Sequence, residues 1–142
     1  MSELVALLNQ ALEMEHAAAI QYYTHAEQIN GPESGPLMEQ LQEQAGDEQA
    51  HAVKVRTILS DYLKVIPTMG LAPTKTAANY DEIISRNILS EQEAIDIYRK
   101  IFNKICEMQD ELGYRFESLR FDIDEILREE QEHITQLERV AD

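Results

Sequence analysis

Helix-breaking residues are scarce in this chain and cluster at three places. Five glycines and four prolines occur among 142 residues, and the clusters lie at 31–36, at 67–73 and at Gly113. So few turn-forming residues argue against the many short strands of a sandwich or barrel. At a rise of about 1.5 Å per residue, each segment between the clusters predicts a helix roughly 40–50 Å long. These segments are 3–29, 36–66, 80–112 and 114–140.

Each segment carries apolar residues at steps of three, four and seven positions, as Leu4, Leu8 and Leu12 do in the first. This period places them on one face of a helix, where they can form a common core. Short first and third connections predict antiparallel neighbours, whereas the connection at about 67–79 is long enough to cross the end of a bundle. The sequence therefore predicts an all-α antiparallel four-helix bundle with one long crossover between helices two and three, occupying residues 1–142 as a single domain.

Composition argues against several classes of function. The formal net charge of −15 repels phosphate backbones, so nucleic acid is not an expected partner. The single cysteine, Cys106, rules out an internal disulfide framework and any Cys-x-x-Cys zinc or rubredoxin-like module. No basic segment precedes an apolar run at the N-terminus, and no stretch approaches the roughly 18 apolar residues that span a bilayer. We expect a soluble, cytoplasmic protein with no membrane partner.

A glutamate interrupts the apolar stripe of every segment near mid-length, and in two segments a histidine follows three positions later. These residues are Glu15, Glu48, His51, Glu91, Glu130 and His133. A buried carboxylate without a partner is costly, and four at one level also repel each other. Bound cations are the simplest compensation, since four carboxylates balance two divalent ions.

Donor chemistry narrows the choice of ion. In Glu-x-x-His, both side chains lie on the same side of a helix and can reach one ion. Imidazoles favour iron or manganese over magnesium, and the absence of thiolates argues against a structural zinc site. We predict that the six residues ligate two iron ions, with manganese as the alternative, and that no catalytic residues exist beyond these ligands.

An internal repeat supports a site with twofold pseudo-symmetry. Each half contains a glutamate, a tyrosine seven positions later, and then Glu-x-x-His: Glu15, Tyr22, Glu48 and His51 in the first half, and Glu91, Tyr98, Glu130 and His133 in the second. For Tyr22 and Tyr98 two roles stay open, packing with the hydroxyl bonded to a nearby carboxylate or support of the ligand glutamates.

Other acidic residues and histidines are predicted to lie outside the site. Glu13 and His16 fall off the apolar stripe and are expected on a solvated face, and His25 is expected at the surface or a helix end. Four acids that neighbour the predicted ligands in sequence are expected to face elsewhere on their helices: Asp47, Glu93, Glu129 and Glu132. An accessory role in an iron path stays open for Asp47 and Glu132.

These motifs resemble those of the ferritin-like di-iron carboxylate superfamily over nearly the whole chain. The segments most similar to bacterioferritin are Glu15-His-Ala-Ala-Ala-Ile-Gln-Tyr22, Asp47-Glu48-Gln-Ala-His51 and Glu130-Gln-Glu-His133. The resemblance implies that Glu48 and Glu130 bridge the metals, while Glu15 and Glu91 each cap one.

Three departures alter what the resemblance implies. Bacterioferritins carry a haem-ligating methionine directly after the helix-two glutamate, where this chain has Gln49, so no haem is expected. The chain ends nine residues after His133, which leaves no room for the short fifth helix of cage-forming bacterioferritins, so their large shell is not expected. Rubrerythrins add a carboxylate one turn after the third-helix glutamate, where this chain has Ala94, so the chain departs from the rubrerythrin pattern as well.

The leading hypothesis is a bacterioferritin-like ferroxidase, an oxidoreductase that binds two Fe²⁺ ions and oxidises them with dioxygen or hydrogen peroxide. The first alternative is a rubrerythrin-like di-iron peroxidase or oxidase with an external reductase, which adds an electron-donor protein to the partners. The second is a non-catalytic acidic helical interaction module whose glutamates are solvated. We also expect a homo-oligomer, a dimer or larger.

Overall fold

The computed structural model describes residues 1–29 and 34–141. Over these ranges the chain forms four long helices and three short helical segments, with no strand. In chain order they are α1 Ser2–Gln28, α2 Gly35–Thr57, a π-helical stretch Ile58–Tyr62, α3 Tyr80–Glu107, α4 Gln109–Leu112, a 3-10 turn Gly113–Arg115 and α5 Phe116–Ala141. The predicted four-helix bundle with one long crossover is confirmed. The predicted turn at Gly31-Pro32 lies outside the described residues.

The second helical segment ends earlier than its apolar pattern predicts. The helix was expected to reach residue 66, but helical structure stops at Tyr62. Lys64 has φ of 60°, a left-handed conformation that commonly ends a helix. Gly46, in contrast, lies inside α2 without interrupting it. A single glycine is tolerated in a helix at a modest cost.

The third predicted segment, 80–112, is divided in two. Asn79 caps the start of α3, because its side chain accepts a hydrogen bond from the Glu82 amide at 3.0 Å. The α3 helix ends at Glu107, and the chain turns at Met108 before the single turn of α4. Gly113 follows with φ of 60° and ψ of −128°, a conformation that residues with a Cβ atom rarely adopt. This turn directs the chain back along α3 as α5.

The buried core consists of two apolar clusters, one towards each end of the bundle. In α1, for example, Leu12 belongs to the first cluster and Tyr22 to the second. In α5 the division falls between Ile126 and Leu137. Every long helix crosses the same gap, which contains its predicted ligand glutamate, so a polar layer separates the two clusters. No helix in the described ranges is long and apolar enough to cross a membrane.

The crossover, residues 63–79, runs back along α1 towards the start of α3. The Ala72 amide donates to the Glu13 carbonyl at 2.9 Å, and the Thr68 amide donates to Asn9 Oδ1 at 3.0 Å. Further along, the Lys75 amide donates to Gln21 Oε1 at 2.7 Å. These bonds fix the crossover beside the polar layer.

The crossover also corrects predictions for residues off the apolar stripe. Glu13 and His16 are partly buried beneath it rather than on a solvated face, since His16 Nδ1 lies 2.7 Å from the Gly70 carbonyl. His25 lies in the last turn of α1, as expected, but is only 2% exposed. Its Nε2 lies 3.0 Å from the Lys75 carbonyl, and burial lowers its pKa.

Candidate metal centre

The polar layer brings all six predicted ligands together. Each of the four long helices contributes one glutamate, and α2 and α5 each add the histidine one turn later. None of the six side chains is more than 2% exposed. Such burial excludes the solvated glutamates that a non-catalytic acidic module requires.

The six residues form two overlapping groups of four. One contains Glu15, Glu48, His51 and Glu130, and the other contains Glu48, Glu91, Glu130 and His133. Within each group, one potential ligand atom from every residue lies within 4.8 Å of the others. Glu48 and Glu130 belong to both groups, so the geometry could hold two neighbouring ions with two shared carboxylates. The assignment of these residues as ligands stays a prediction.

Both imidazoles turn Nδ1 towards the carboxylates. His51 Nδ1 lies 3.0 Å from Glu15 Oε2 and 3.2 Å from Glu130 Oε1. His133 Nδ1 lies 3.1 Å from Glu48 Oε1 and 3.3 Å from Glu91 Oε1. The two rings are stacked at 6.2 Å between centroids, which places one nitrogen donor in each group.

Several potential metal-ligand atoms in this layer are buried and form no hydrogen bond with any described residue. They are Glu48 Oε1, His51 Nδ1, Glu91 Oε2 and both oxygens of Glu130. Buried polar atoms normally find a partner, and a buried carboxylate without one is costly. Oxygen and nitrogen atoms in this arrangement suit divalent iron or manganese, so the residues present fit two such ions.

Mutual repulsion and burial change the pKa values of the centre. Burial, followed by the charge of Glu48, raises the pKa of Glu130 well above its usual value, and of Glu91 to about 7. Burial and Glu48 also raise the pKa of Glu15. Burial acts in the same direction on Glu48, but the close polar groups of Glu15, His133 and Glu130 outweigh it and lower the pKa to about 2. Burial lowers the pKa of His133, but its close contacts with the Glu48 and Glu91 carboxylates outweigh it and raise the pKa to about 11.

The two tyrosines of the repeat form hydrogen bonds between its two halves. Tyr98 in α3 donates its hydroxyl proton to Glu15 Oε2 at 3.0 Å, and Tyr22 in α1 donates to Glu91 Oε1. Each hydroxyl therefore orients the predicted capping carboxylate of the opposite half, while each ring lies in the core. The packing role with a hydroxyl bonded to a carboxylate is present, and support of the glutamates as metal ligands stays a prediction.

Two carboxylates that were expected to face elsewhere contact the outer edges of the imidazoles. Asp47 Oδ2 lies 2.8 Å from His133 Nε2, and Glu129 Oε1 lies 3.3 Å from His51 Nε2. Each contact favours a proton on Nε2, which leaves Nδ1 free to bind a metal. The sequence holds a signal for this pair, since each acid directly precedes the glutamate of a Glu-x-x-His motif.

We predict that these outer contacts strengthen metal binding. Replacing Asp47 or Glu129 by alanine should weaken affinity for Co²⁺ about 10- to 100-fold, as loss of a carboxylate behind a ligating histidine commonly does. Competition titration against a coloured chelator measures the change. Glu132→Ala is the matched control, because Glu132 is exposed and precedes His133 directly. Equal affinities in the Asp47 and Glu132 variants would contradict the prediction.

A family comparison agrees with this architecture. The model of the ferritin-like domain matches residues 5–142. The chain belongs to the ferritin-like domain family. A search of curated proteins found no match to this ferritin-like chain.

Two solved structures are similar to this ferritin-like protein in fold. A ferritin-like, diiron-carboxylate protein from Bacillus anthracis superposes with a TM-score of 0.89 at 24% identity, covering 99% of this chain and 96% of that one. Bacterioferritin from Rhodobacter capsulatus, described with a metal-free dinuclear site and a heme iron, gives 0.84 at 21% identity, covering 98% and 83%. The chain thus has a ferritin-like fold with a carboxylate and histidine cluster that could bind metal.

Proposed function

We propose that this ferritin-like protein binds two iron ions in the polar layer and oxidises Fe²⁺ with dioxygen or hydrogen peroxide. The proposed ligands are Glu15, Glu48, His51, Glu91, Glu130 and His133. The observation that carries the proposal is the pair of overlapping donor groups, which are fully buried and contain several oxygens with no hydrogen bond in the part of the chain that the structure describes. Manganese is the alternative metal, because it shares these ligand preferences.

The electrons balance without an additional reductant. Two ferrous ions supply two electrons and become ferric. With two protons, these electrons reduce one hydrogen peroxide to two water molecules, or one dioxygen to one hydrogen peroxide. Iron supplies this redox chemistry when it is bound. The protein holds the carboxylates through Tyr22 and Tyr98, orients the imidazoles through Asp47 and Glu129, and surrounds the layer with apolar clusters.

Metal binding is also expected to displace protons from the buried carboxyl groups. Because burial raises the pKa of Glu15, Glu91 and Glu130, the metal-free centre retains protons near neutral pH. Ligands must be deprotonated to bind a cation. Filling the centre is therefore expected to release protons, and metal affinity is expected to rise with pH.

An anaerobic titration of metal-free protein with Fe²⁺ tests the proposal. We expect saturation near two ions per chain, followed by growth of near-ultraviolet absorbance after a pulse of dioxygen or, separately, hydrogen peroxide. Excess iron then distinguishes two uses of the centre. Continued uptake into a large soluble particle indicates storage, whereas a halt at two indicates an oxidase or peroxidase that retains its metals.

Absence of binding at micromolar Fe²⁺ would overturn the proposal. Turnover that requires an electron donor would favour the rubrerythrin-like alternative and identify a further partner. Proteins of the ferritin family bind iron and commonly oligomerise, and we propose a homo-oligomer here, which sedimentation velocity can test.

A further inference from the structure

A buried hydrogen-bond network attaches the crossover to the bundle at one residue, Lys75. The Lys75 amide donates to Gln21 Oε1 in α1 at 2.7 Å, and the Lys75 carbonyl lies 3.0 Å from His25 Nε2 in the same helix. Asn87 in α3 joins the two side chains. Its Oδ1 accepts from Gln21 Nε2 at 2.8 Å, and its Nδ2 lies 2.9 Å from His25 Nδ1. The three side chains are at most 4% exposed, so their polar atoms depend on partners within the protein.

Two backbone groups fix the protonation state of His25. The Lys75 amide can only donate, so Gln21 turns Oε1 towards it and Nε2 towards Asn87. The Ile83 carbonyl can only accept, so Asn87 turns Nδ2 towards it at 2.7 Å and offers its second Nδ2 proton to His25. His25 Nδ1 must then accept, and Nε2 must carry the proton that it donates to the Lys75 carbonyl. All these bonds exist together only while the imidazole is neutral.

A second proton on His25 is incompatible with this arrangement. An Nδ1–H group would face the Asn87 Nδ2–H group across 2.9 Å, which places two donors against each other. Rotation of Asn87 would break its bonds to Gln21 and to the Ile83 carbonyl, and movement of the imidazole would break its bond to Lys75. Either change leaves buried polar groups without partners, which is costly. Protonation of His25 therefore weakens the attachment of the crossover.

No described residue supplies a charge that would hold this proton on His25. Burial lowers the pKa of the ring, and no charged side chain in the described ranges contributes to that shift. On the crossover, Lys75 Nζ lies 3.1 Å from Glu93 Oε2, and on α3 Arg86 is paired with Glu82 at 3.3 Å. His25 is therefore neutral near pH 7.5, and its protonation at lower pH opposes the folded arrangement.

The network occupies only one half of the internal repeat. Counted from Glu15 in the first half and from Glu91 in the second, the positions that correspond to Gln21, His25 and Asn87 are apolar: Ile97, Ile101 and Ala11. These three residues are buried in the first apolar cluster. Helix packing at these positions therefore does not require polar side chains. The bonds to the crossover distinguish the half that has them.

We propose that His25 is a pH-sensitive latch: the neutral imidazole holds the crossover at Lys75, and protonation at mildly acidic pH releases it. A cavity of about 40 Å³ beside the metal centre is lined by Lys75 together with Glu15, Glu48 and Glu91. Release of Lys75 therefore opens this side of the centre and speeds loss of bound metal. The latch itself needs no metal, whereas its effect on metal release rests on the proposed function.

Amide hydrogen exchange of the full-length, metal-free protein, resolved by NMR, tests the latch. Opening of the network returns His25 to its ordinary pKa of 6.5. After correction for intrinsic exchange, the Lys75 amide should be about 3- to 10-fold less protected at about pH 5 than at about pH 7.5. Global unfolding predicts the opposite trend, because the raised pKa values of the buried glutamates make the metal-free fold more stable at the lower pH. His25→Gln does not titrate, so Lys75 should lose no protection at pH 5 in this variant.

His16→Gln is the matched control, because His16 Nδ1 lies 2.7 Å from another crossover carbonyl, that of Gly70. This variant should retain the native loss of protection at Lys75. NMR of the ring nitrogens of native His25 gives a test that needs no variant. The ring should carry its proton on Nε2 at about pH 7.5, and its titration should coincide with the loss of protection at Lys75.

Metal release tests the consequence for the centre. After transfer of Co²⁺-loaded protein from about pH 7.5 to about pH 5.5, a chelator should remove the metal about threefold faster, or more, from the native protein than from His25→Gln. Protonation of the ligands acts on both proteins alike, so the difference reports the latch. Equal removal rates would overturn its link to the centre.

Three results would overturn the latch itself: unchanged protection of Lys75 in the native protein, native-like loss of protection in His25→Gln, or a proton on His25 Nδ1 at about pH 7.5. If the native protein binds no metal, the proposed function fails, while the metal-free measurements still decide the latch.

Discussion

Metal-free protein should lose stability as the pH rises from about 5 to 8. Burial raises the pKa of Glu15, Glu91 and Glu130, so the folded state binds more protons than the unfolded state over this range. Such groups stabilise the fold fully below their unfolded pKa of 4.5, and their contribution declines as the pH passes through the folded value. His133, with a pKa raised from 6.5 to about 11, acts in the same direction above its unfolded value.

Glu48 acts in the opposite direction at lower pH. Its pKa is lowered from 4.5 to about 2, so its contribution is present above 4.5 and is lost as the pH falls towards 2. The metal-free protein should therefore be most stable near pH 5. Loading with metal should reverse the trend above this point, because deprotonated ligands bind cations more tightly.

Glu91→Gln measures the size of the effect. A change of one pKa unit corresponds to about 1.4 kcal/mol, so raising the pKa of Glu91 from 4.5 to about 7 costs roughly 3 kcal/mol by pH 8. Urea unfolding of metal-free protein should show roughly 2 kcal/mol of this decline between about pH 5.5 and 8.5. The glutamine variant should show a flatter profile, because glutamine does not titrate. Its amide oxygen can still accept the hydrogen bond from the Tyr22 hydroxyl. Glu132→Gln, an exposed substitution on α5, should retain the native slope. A native profile that rises with pH would contradict the buried centre.

The sequence predicts the bundle and the six clustered residues because both depend on helical phase alone. Glu15 and Glu91 fall on apolar stripes, and burial of those stripes brings their carboxylates into one layer. The ends of helices depend on single backbone positions that periodicity does not report. Lys64 ends the second segment through its left-handed conformation, although apolar Val65 and Ile66 continue the pattern.

The contacts of Asp47 and Glu129 depend on how neighbouring helices approach each other, which the periodicity of a single helix does not predict. Asp47 precedes Glu48 by one position and so points about 100° away from it around α2. Only the approach of α5 brings the Asp47 carboxylate to His133, and only α2 brings Glu129 to His51. Likewise His16 lies off the stripe of α1, and the crossover, whose path periodicity does not predict, covers it. Contacts between elements, rather than positions within them, account for these differences.

Glu130→Gln should weaken both metal sites, whereas Glu15→Gln should weaken one. Glu130 belongs to both donor groups, but Glu15 belongs only to the group that contains His51. Losing a carboxylate ligand should cost at least the roughly 100-fold in affinity attributed to groups that merely orient a ligand. Co²⁺ titration of the Glu15 variant should therefore show one tight ion per chain. The Glu130 variant should show none at concentrations that saturate the native protein.

Melting temperatures of the metal-free and Co²⁺-loaded proteins distinguish the loss of a ligand from damage to the fold. Burial raises the pKa of Glu130, so this carboxyl costs stability increasingly as the pH rises above its unfolded value. Glutamine does not titrate, so metal-free Glu130→Gln should be more stable than native protein at about pH 8. Added Co²⁺ should raise the native melting temperature, because a ligand that binds only the folded state stabilises it, and should leave the Glu130 variant unchanged. Glu132→Gln should bind and melt as the native protein does. Two tight ions retained in Glu130→Gln would show that Glu130 is not shared between the metals. A lower metal-free melting temperature of this variant at high pH would show that burial of the Glu130 carboxyl does not cost stability.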